Sequence, residues 1–104
     1  MFKISVMYPN TEGARFDYEY YTSTHIRLVE ENLRPFGMVK IEVDKGISGG
    51  SDLPAPYICI GHLYFETPDG YEKGINEKGT IFRGDISNFT DITPVRQISE
   101  LFDK

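Results

Sequence analysis

His25 is the residue best suited to move a proton near neutral pH, and Tyr21 stands four positions before it. On a helix, a spacing of four puts two side chains one turn apart on the same face. An imidazole with an ordinary pKa near 6.5 can serve as general acid or base. A phenol one turn away can orient that ring or donate to a developing oxyanion. The plainer reading of the pair is packing: a core histidine bonded to a backbone carbonyl or a tyrosine. The chemical reading needs a pocket, and the packing reading does not.

Other side chains with usable chemistry are scattered. His62 lies in an apolar run with Ile58, Ile60 and Tyr64 at every second position. If that face meets the helices, His25 and His62 converge; otherwise His62 is a half-buried histidine of a sheet. Two imidazoles hold a metal only with a third ligand, and no HxH, HxxxH or carboxylate cluster supplies one, so neither metal nor cofactor is expected. Tyr8, Tyr18, Tyr57 and Tyr64 are placed to line the same cavity or to pack as aromatic core. Asn88 and Asp85 sit in a turn, where Asn88 either ties the turn or meets a substrate. Cys59 has no charged neighbour to activate it and reads as a small buried residue. Nucleotide-binding and serine-hydrolase motifs are absent.

The elements that must position these residues follow from hydrophobic period. Phe2 to Tyr8 alternates as a strand, with Phe2, Ile4, Val6 and Tyr8 on one face. Asp17 is an N-cap for a helix running to about Arg34, with Tyr18, Tyr21, His25, Leu28, Val29 and Asn32 on one face. Pro35 stops it and Gly37 lets the chain turn. Met38 to Asp44 is a second strand. Residues 46–56 form a loop rich in glycine and proline, a flap or a plain surface connection. Tyr57 to Phe65 is the strongest strand, apolar on both faces. Thr67 and Pro68 open a second helix, weakened by Gly70, Gly74 and Gly79. Residues 84–90 read as a compact turn, Asp91 to Ile98 as the last strand, and Ser99 to Lys104 as a tail. The order strand–helix–strand–strand–helix–strand predicts an α+β, ferredoxin-like βαββαβ fold. It has a four-stranded antiparallel sheet with two helices on one face. The other sheet face is left open, and a homodimer through the sheet faces would cover it.

Composition sets the outer limits. At 104 residues the chain suits one domain spanning 1–104. A net charge of −5 with no Lys/Arg run argues against nucleic acid and anionic membranes as partners. A single cysteine, no apolar run long enough for a span and no N-terminal signal pattern point to a cytoplasmic protein.

Four segments carry a resemblance. Val6-Met7-Tyr8-Pro9-Asn10, Gly13 to Tyr21 with His25, Gly46-Ile47-Ser48-Gly49-Gly50 and Gly84 to Pro94 resemble the EthD family from end to end, in the right order. The more specific parts are Phe16-Asp17 with Tyr21 and His25, and the turn Asn88-Phe89-Thr90-Asp91. The resemblance implies the dimeric α+β-barrel fold and a histidine at the position of His25. It departs at Arg27, where family sequences often carry proline. The founding member belongs to bacterial ether degradation. Relatives in fungal polyketide pathways look like decarboxylases or dehydratases, and the wider fold includes cofactor-free monooxygenases, lactone isomerases and haem-handling enzymes. The expectation is a small hydrophobic or aromatic ligand between sheet and helices, handled by His25 as acid or base without a cofactor. The alternative is a non-enzymatic carrier, sensor or structural dimeric module.

Overall fold

The computed structural model describes residues 1–102, so the end of the expected tail, Asp103 and Lys104, lies outside the described residues. Four strands, β1 (Phe2–Pro9), β2 (Met38–Lys45), β3 (Tyr57–Phe65) and β4 (Val95–Glu100), form one sheet in the order β2-β3-β1-β4. All three pairings are antiparallel. The ferredoxin-like βαββαβ order is therefore realised. Among the described residues no helix is long and apolar enough to cross a membrane.

The first helical arm is less regular than its sequence period predicts. It opens at α1 (Tyr18–Tyr20), widens into one π-helical turn (Tyr21–His25), continues as α2 (Ile26–Leu33) and tightens into a 3₁₀ turn (Arg34–Phe36). Asp17 caps it as expected, accepting from the Tyr20 backbone N–H at 3.0 Å. In the widened turn the Ile26 N–H reaches back to the Tyr21 carbonyl. The local sequence favours this. Thr22 and Ser23 donate their hydroxyls to the carbonyls of Tyr18 and Glu19 at 2.9 and 2.6 Å, competing with the backbone ladder. Tyr21, His25, Val29 and Leu33 then form the buried stripe at a strict spacing of four. Pro35 ends the α-helix where expected, with α2 stopping at Leu33 and Arg34 as its cap. It sits at the start of the 3₁₀ turn, where its missing N–H is not needed, and Gly37 at φ 98° makes the exit.

Two further expectations are corrected. Residues 84 and 85 continue the second helix, α3 (Pro68–Asp85), and the turn begins only with the 3₁₀ segment Ile86–Asn88, closed by the Phe89 and Thr90 N–H groups on the Ile86 carbonyl. The last strand starts only at Val95, because Pro94 has no N–H to give a neighbouring strand. The helix glycines have a packing reason. A Cβ on Gly74 would crowd the Leu33 side chain and one on Gly70 would enter the Phe36 carbonyl, so α3 approaches the first arm closely at both.

The register settles the facing of the sheet. Cys59, Gly61, Leu63 and Phe65 turn toward the helices and are buried. Ile58, Ile60, His62 and Tyr64 turn to the opposite, open face. Two clusters fill the helix side. One is centred on Ile4, Leu33, Leu63, Phe65 and Phe82. The other is aromatic, built from Tyr8, Tyr21 and Phe89 with Phe16 packed against them.

At Gly61 in β3 a side chain has no room, because a Cβ there would run into the Tyr21 hydroxyl. The Tyr21 ring cannot swing aside: Tyr8, Phe16, His25 and Phe89 hold it at centroid distances of 5.1–5.7 Å. Gly61→Ala is therefore expected to destabilise the fold by roughly 1–3 kcal/mol through overpacking. Urea unfolding checks this, with paired Gly61→Ala and Tyr21→Phe/Gly61→Ala variants. The double variant should recover part of the loss.

Candidate functional site

The tie between residues 15–17 and 87–91 brings the distant parts of the site together. The Asp17 N–H donates to the Phe89 carbonyl at 2.8 Å, and Thr90 Oγ1 donates to the Arg15 carbonyl at 2.6 Å. Arg15 reaches back to the Ser87 carbonyl at 2.7 Å and to Asp91 at 2.8 Å through its backbone N–H. The start of the first helical arm is thereby fixed against the end of α3. Phe89 comes to lie 4.6 Å from the His25 ring, and Asp85 faces His25.

His25 Nδ1 stands 2.8 Å from Asp85 Oδ2. Burial alone would raise the Asp85 carboxyl. Donors from Tyr20, Asn88 and His25 outweigh it and hold the group below the ordinary carboxylate range. Tyr20 Oη donates to Asp85 Oδ1 at 2.7 Å and Asn88 Nδ2 at 2.9 Å. An ionised carboxylate accepts only, so the proton of neutral His25 is on Nδ1. Burial pushes the His25 pKa below its usual 6.5, and Asp85 only partly opposes it. At neutral pH His25 is an uncharged imidazole with a bare Nε2, the form a general base takes.

Nε2 has no hydrogen-bond partner, yet it is not sealed away. Among the described residues, no fully buried side-chain nitrogen or oxygen lacks a partner. His25 is 5% exposed and lines a cavity of about 50 Å³ between helices and sheet. Nε2 therefore keeps some accessible surface, and the cavity is the space that its residue lines. The same reasoning holds for the hydroxyls of Tyr8 and Tyr21, which are 1% and 2% exposed and line it too. Burial drives both phenol pKa values far up, so they stay protonated and can donate. The remaining walls are mostly aliphatic: Val6, Val29, Leu63 and Ile75 among them. Chemically the cavity offers one base, phenol donors beside it, and a mostly aliphatic surround.

The sequence-predicted residues divide between two faces. His25, Tyr21 and Tyr8 meet at the cavity. Tyr21 does not orient the histidine by a hydrogen bond; it stacks on it, 5.5 Å between centroids at 20°, and Asp85 does the orienting. Tyr18 spends its hydroxyl on the Ile58 carbonyl at 2.7 Å. Asn88 reaches the site indirectly, through Asp85. His62 and Tyr64 lie across the sheet on its open face, because β3 turns Gly61 and not His62 toward the helices, so the two histidines do not converge. There His62 bridges Ser5 Oγ (3.2 Å) and Asp44 Oδ2 (2.7 Å), and Tyr64 donates to Glu42 (2.8 Å). Sequence reasoning missed Asp85 as the histidine's partner, 60 positions away, and it missed Arg96 and Tyr71 on the cavity wall.

This architecture is shared with solved proteins. An EthD-like protein from Ralstonia eutropha JMP134 superposes with a TM-score of 0.90 at 37% identity, covering 95% of this chain and 89% of that one. The chain belongs to the EthD family. An ethyl tert-butyl ether D (EthD) family protein from Bacillus halodurans C-125 has a TM-score of 0.74 at 20% identity, over 98% of this chain and 99% of its own. A dimeric ferredoxin-like protein from an uncultured marine organism shares the fold at 0.54 and 11%, over 98% and 97%. No protein-family model matches the chain, and no curated protein does.

The His25 pKa has a consequence for stability. Below its usual value of 6.5 the unfolded chain binds more protons at this position than the native one, so stability rises with pH there. The contribution is complete above about pH 6.5 and is lost as pH falls through the lower, native pKa. Denaturation midpoints should fall between pH 7 and pH 5 in the wild type. The slope should flatten in His25→Asn, whose amide still donates to Asp85. Asp85→Ala should cost about 1–3 kcal/mol by leaving buried His25 without its partner.

Proposed function

We propose that the chain is a cofactor-independent acid–base catalyst acting on a small, mostly apolar, enolisable molecule, with His25 as the base. The observation that carries this reading is the bare Nε2 of a neutral histidine facing an apolar cavity while its other nitrogen is clamped by an ionised carboxylate. In the simplest step, His25 Nε2 takes a proton from carbon next to a carbonyl. The C–H electron pair moves into the new C=C bond, and the carbonyl π pair moves to oxygen. Tyr21 or Tyr8 donates to that oxygen, where negative charge develops. Return of the proton to another atom of the enolate gives an isomer. Loss of a leaving group or of carbon dioxide through the same enolate type gives a lyase.

The working unit in this reading is a homodimer of the single 1–104 domain, in the cytoplasm. The open sheet face supports it. Ile58 and Ile60 lie there only half-buried around the Ser5–His62–Asp44 line, and a second copy would complete their burial. Tyr64 and His62 of that face then serve assembly and not the substrate. The alternative, a carrier or sensor, uses the same cavity without the proton step.

Deuterium exchange separates the two without a known substrate. A panel of small cyclic and aryl ketones in D₂O, followed by proton NMR, should show α-proton loss above the buffer rate with wild-type protein. His25→Ala should abolish the excess while circular dichroism shows the fold retained. Exchange that survives the substitution would remove His25 from the chemistry. Binding without exchange would favour the carrier.

A further inference from the structure

One charged side chain lines the cavity and takes no part in the chemistry above. Arg96 projects from β4 on the helix side of the sheet, opposite Val6 of β1. Val6 is in turn opposite Gly61 of β3. Gly61, Val6 and Arg96 thus form one row across the cavity floor. Adjacent strands lie about 4.8 Å apart, so the row places Arg96 roughly 10 Å from Gly61. The Tyr21 hydroxyl, stacked with His25, stands over Gly61. The backbones that carry the two sides of the cavity floor are thus two strand spacings apart, with Val6 between them.

The guanidinium has no ion-pair partner among the described residues. It lies close enough to the hydroxyls of Tyr8 and Tyr71 to oppose the rise that burial imposes on both. No carboxylate lines this cavity. In a chain of net charge −5, an unpaired arginine among phenols at an aliphatic wall is the local exception to a field that repels anions. Its planar fork matches a carboxylate with two parallel hydrogen bonds.

We infer that the ligand is a small carboxylate with an apolar body, and that Arg96 is its specificity-determining residue, gripping the acid group while the carbon to be deprotonated faces His25. The inference rests on the reading of the cavity given above and narrows it to keto acids and related enolisable acids. Tyr71, beside the guanidinium, is placed to donate a further hydrogen bond to the same group.

The test uses a matched pair of probes, 4-methyl-2-oxopentanoate and its neutral amide, 4-methyl-2-oxopentanamide. Kd is measured by calorimetry and the His25 ring signals are followed by NMR. The wild type should bind the acid about tenfold or more tightly than the amide. Arg96→Gln should bring the acid down to the amide's affinity and leave the amide unchanged. Arg96 is exposed on an edge strand, so the variant should keep its melting temperature. If the amide moves the His25 signals but the acid has no advantage, or if Arg96→Gln weakens both alike, the inference fails and the acid–base reading stands. If neither probe moves His25, both fail.

Discussion

A single 2.8 Å hydrogen bond, His25 Nδ1 to Asp85 Oδ2, joins the first helical arm to the end of α3. It does three things at once. It satisfies a polar nitrogen that burial would otherwise leave costly. It fixes the tautomer, so that the second nitrogen is a lone pair and not a donor. It also settles which way the ring faces, and therefore that the lone pair meets the cavity. Tyr20 and Asn88 in turn hold Asp85, so the carboxylate cannot rotate away without breaking two more bonds.

The packing around that bond is arranged to allow it. The π-helical turn places Tyr21 and His25 on one stripe with Val29 and Leu33. Gly61 leaves the space into which the Tyr21 hydroxyl reaches. The tie between residues 15–17 and 87–91 brings Phe89 under the imidazole. The two sheet faces carry different work. The helix side holds an aliphatic cavity with a base, phenols and a guanidinium. The open side holds paired polar groups, Ser5–His62–Asp44 and Tyr64–Glu42, between half-buried isoleucines. A polar line of this kind stays satisfied whether the face is wet or covered, whereas the isoleucines gain only from being covered.

Much of the fold was legible because it is written in short-range terms. The strands follow two-residue alternation, Asp17 is a cap by chemistry, and Gly37 turns the chain because a positive φ suits glycine. His25, Tyr21 and Tyr8 were legible as cavity residues for the same reason: each sits on the apolar face of its own element. The rest depends on contacts between distant residues. Nothing near Asp85 in sequence says that it meets a histidine 60 positions earlier, and Gly84 beside it suggested a turn and not helix. Nothing in the sequence around Arg96 marks it as part of a cavity wall. The facing of β3 could not be read from pattern, since both its faces are apolar, so whether His62 and Tyr64 meet the helices stayed open. The π turn was signalled only weakly, by the Thr22–Ser23–Thr24 run that competes for helical carbonyls.

Nitrogen NMR of the His25 ring tests the central claim most directly, in selectively labelled protein titrated from pH 8 to pH 4. The structure predicts a proton on Nδ1 and a bare Nε2 at neutral pH, with a midpoint below the usual 6.5. It also predicts that Nε2 alone responds when a small ketone is added. A proton on Nε2 at neutral pH, or a ring that stays charged well above pH 6.5, would contradict it and leave the Asp85 contact a structural ion pair.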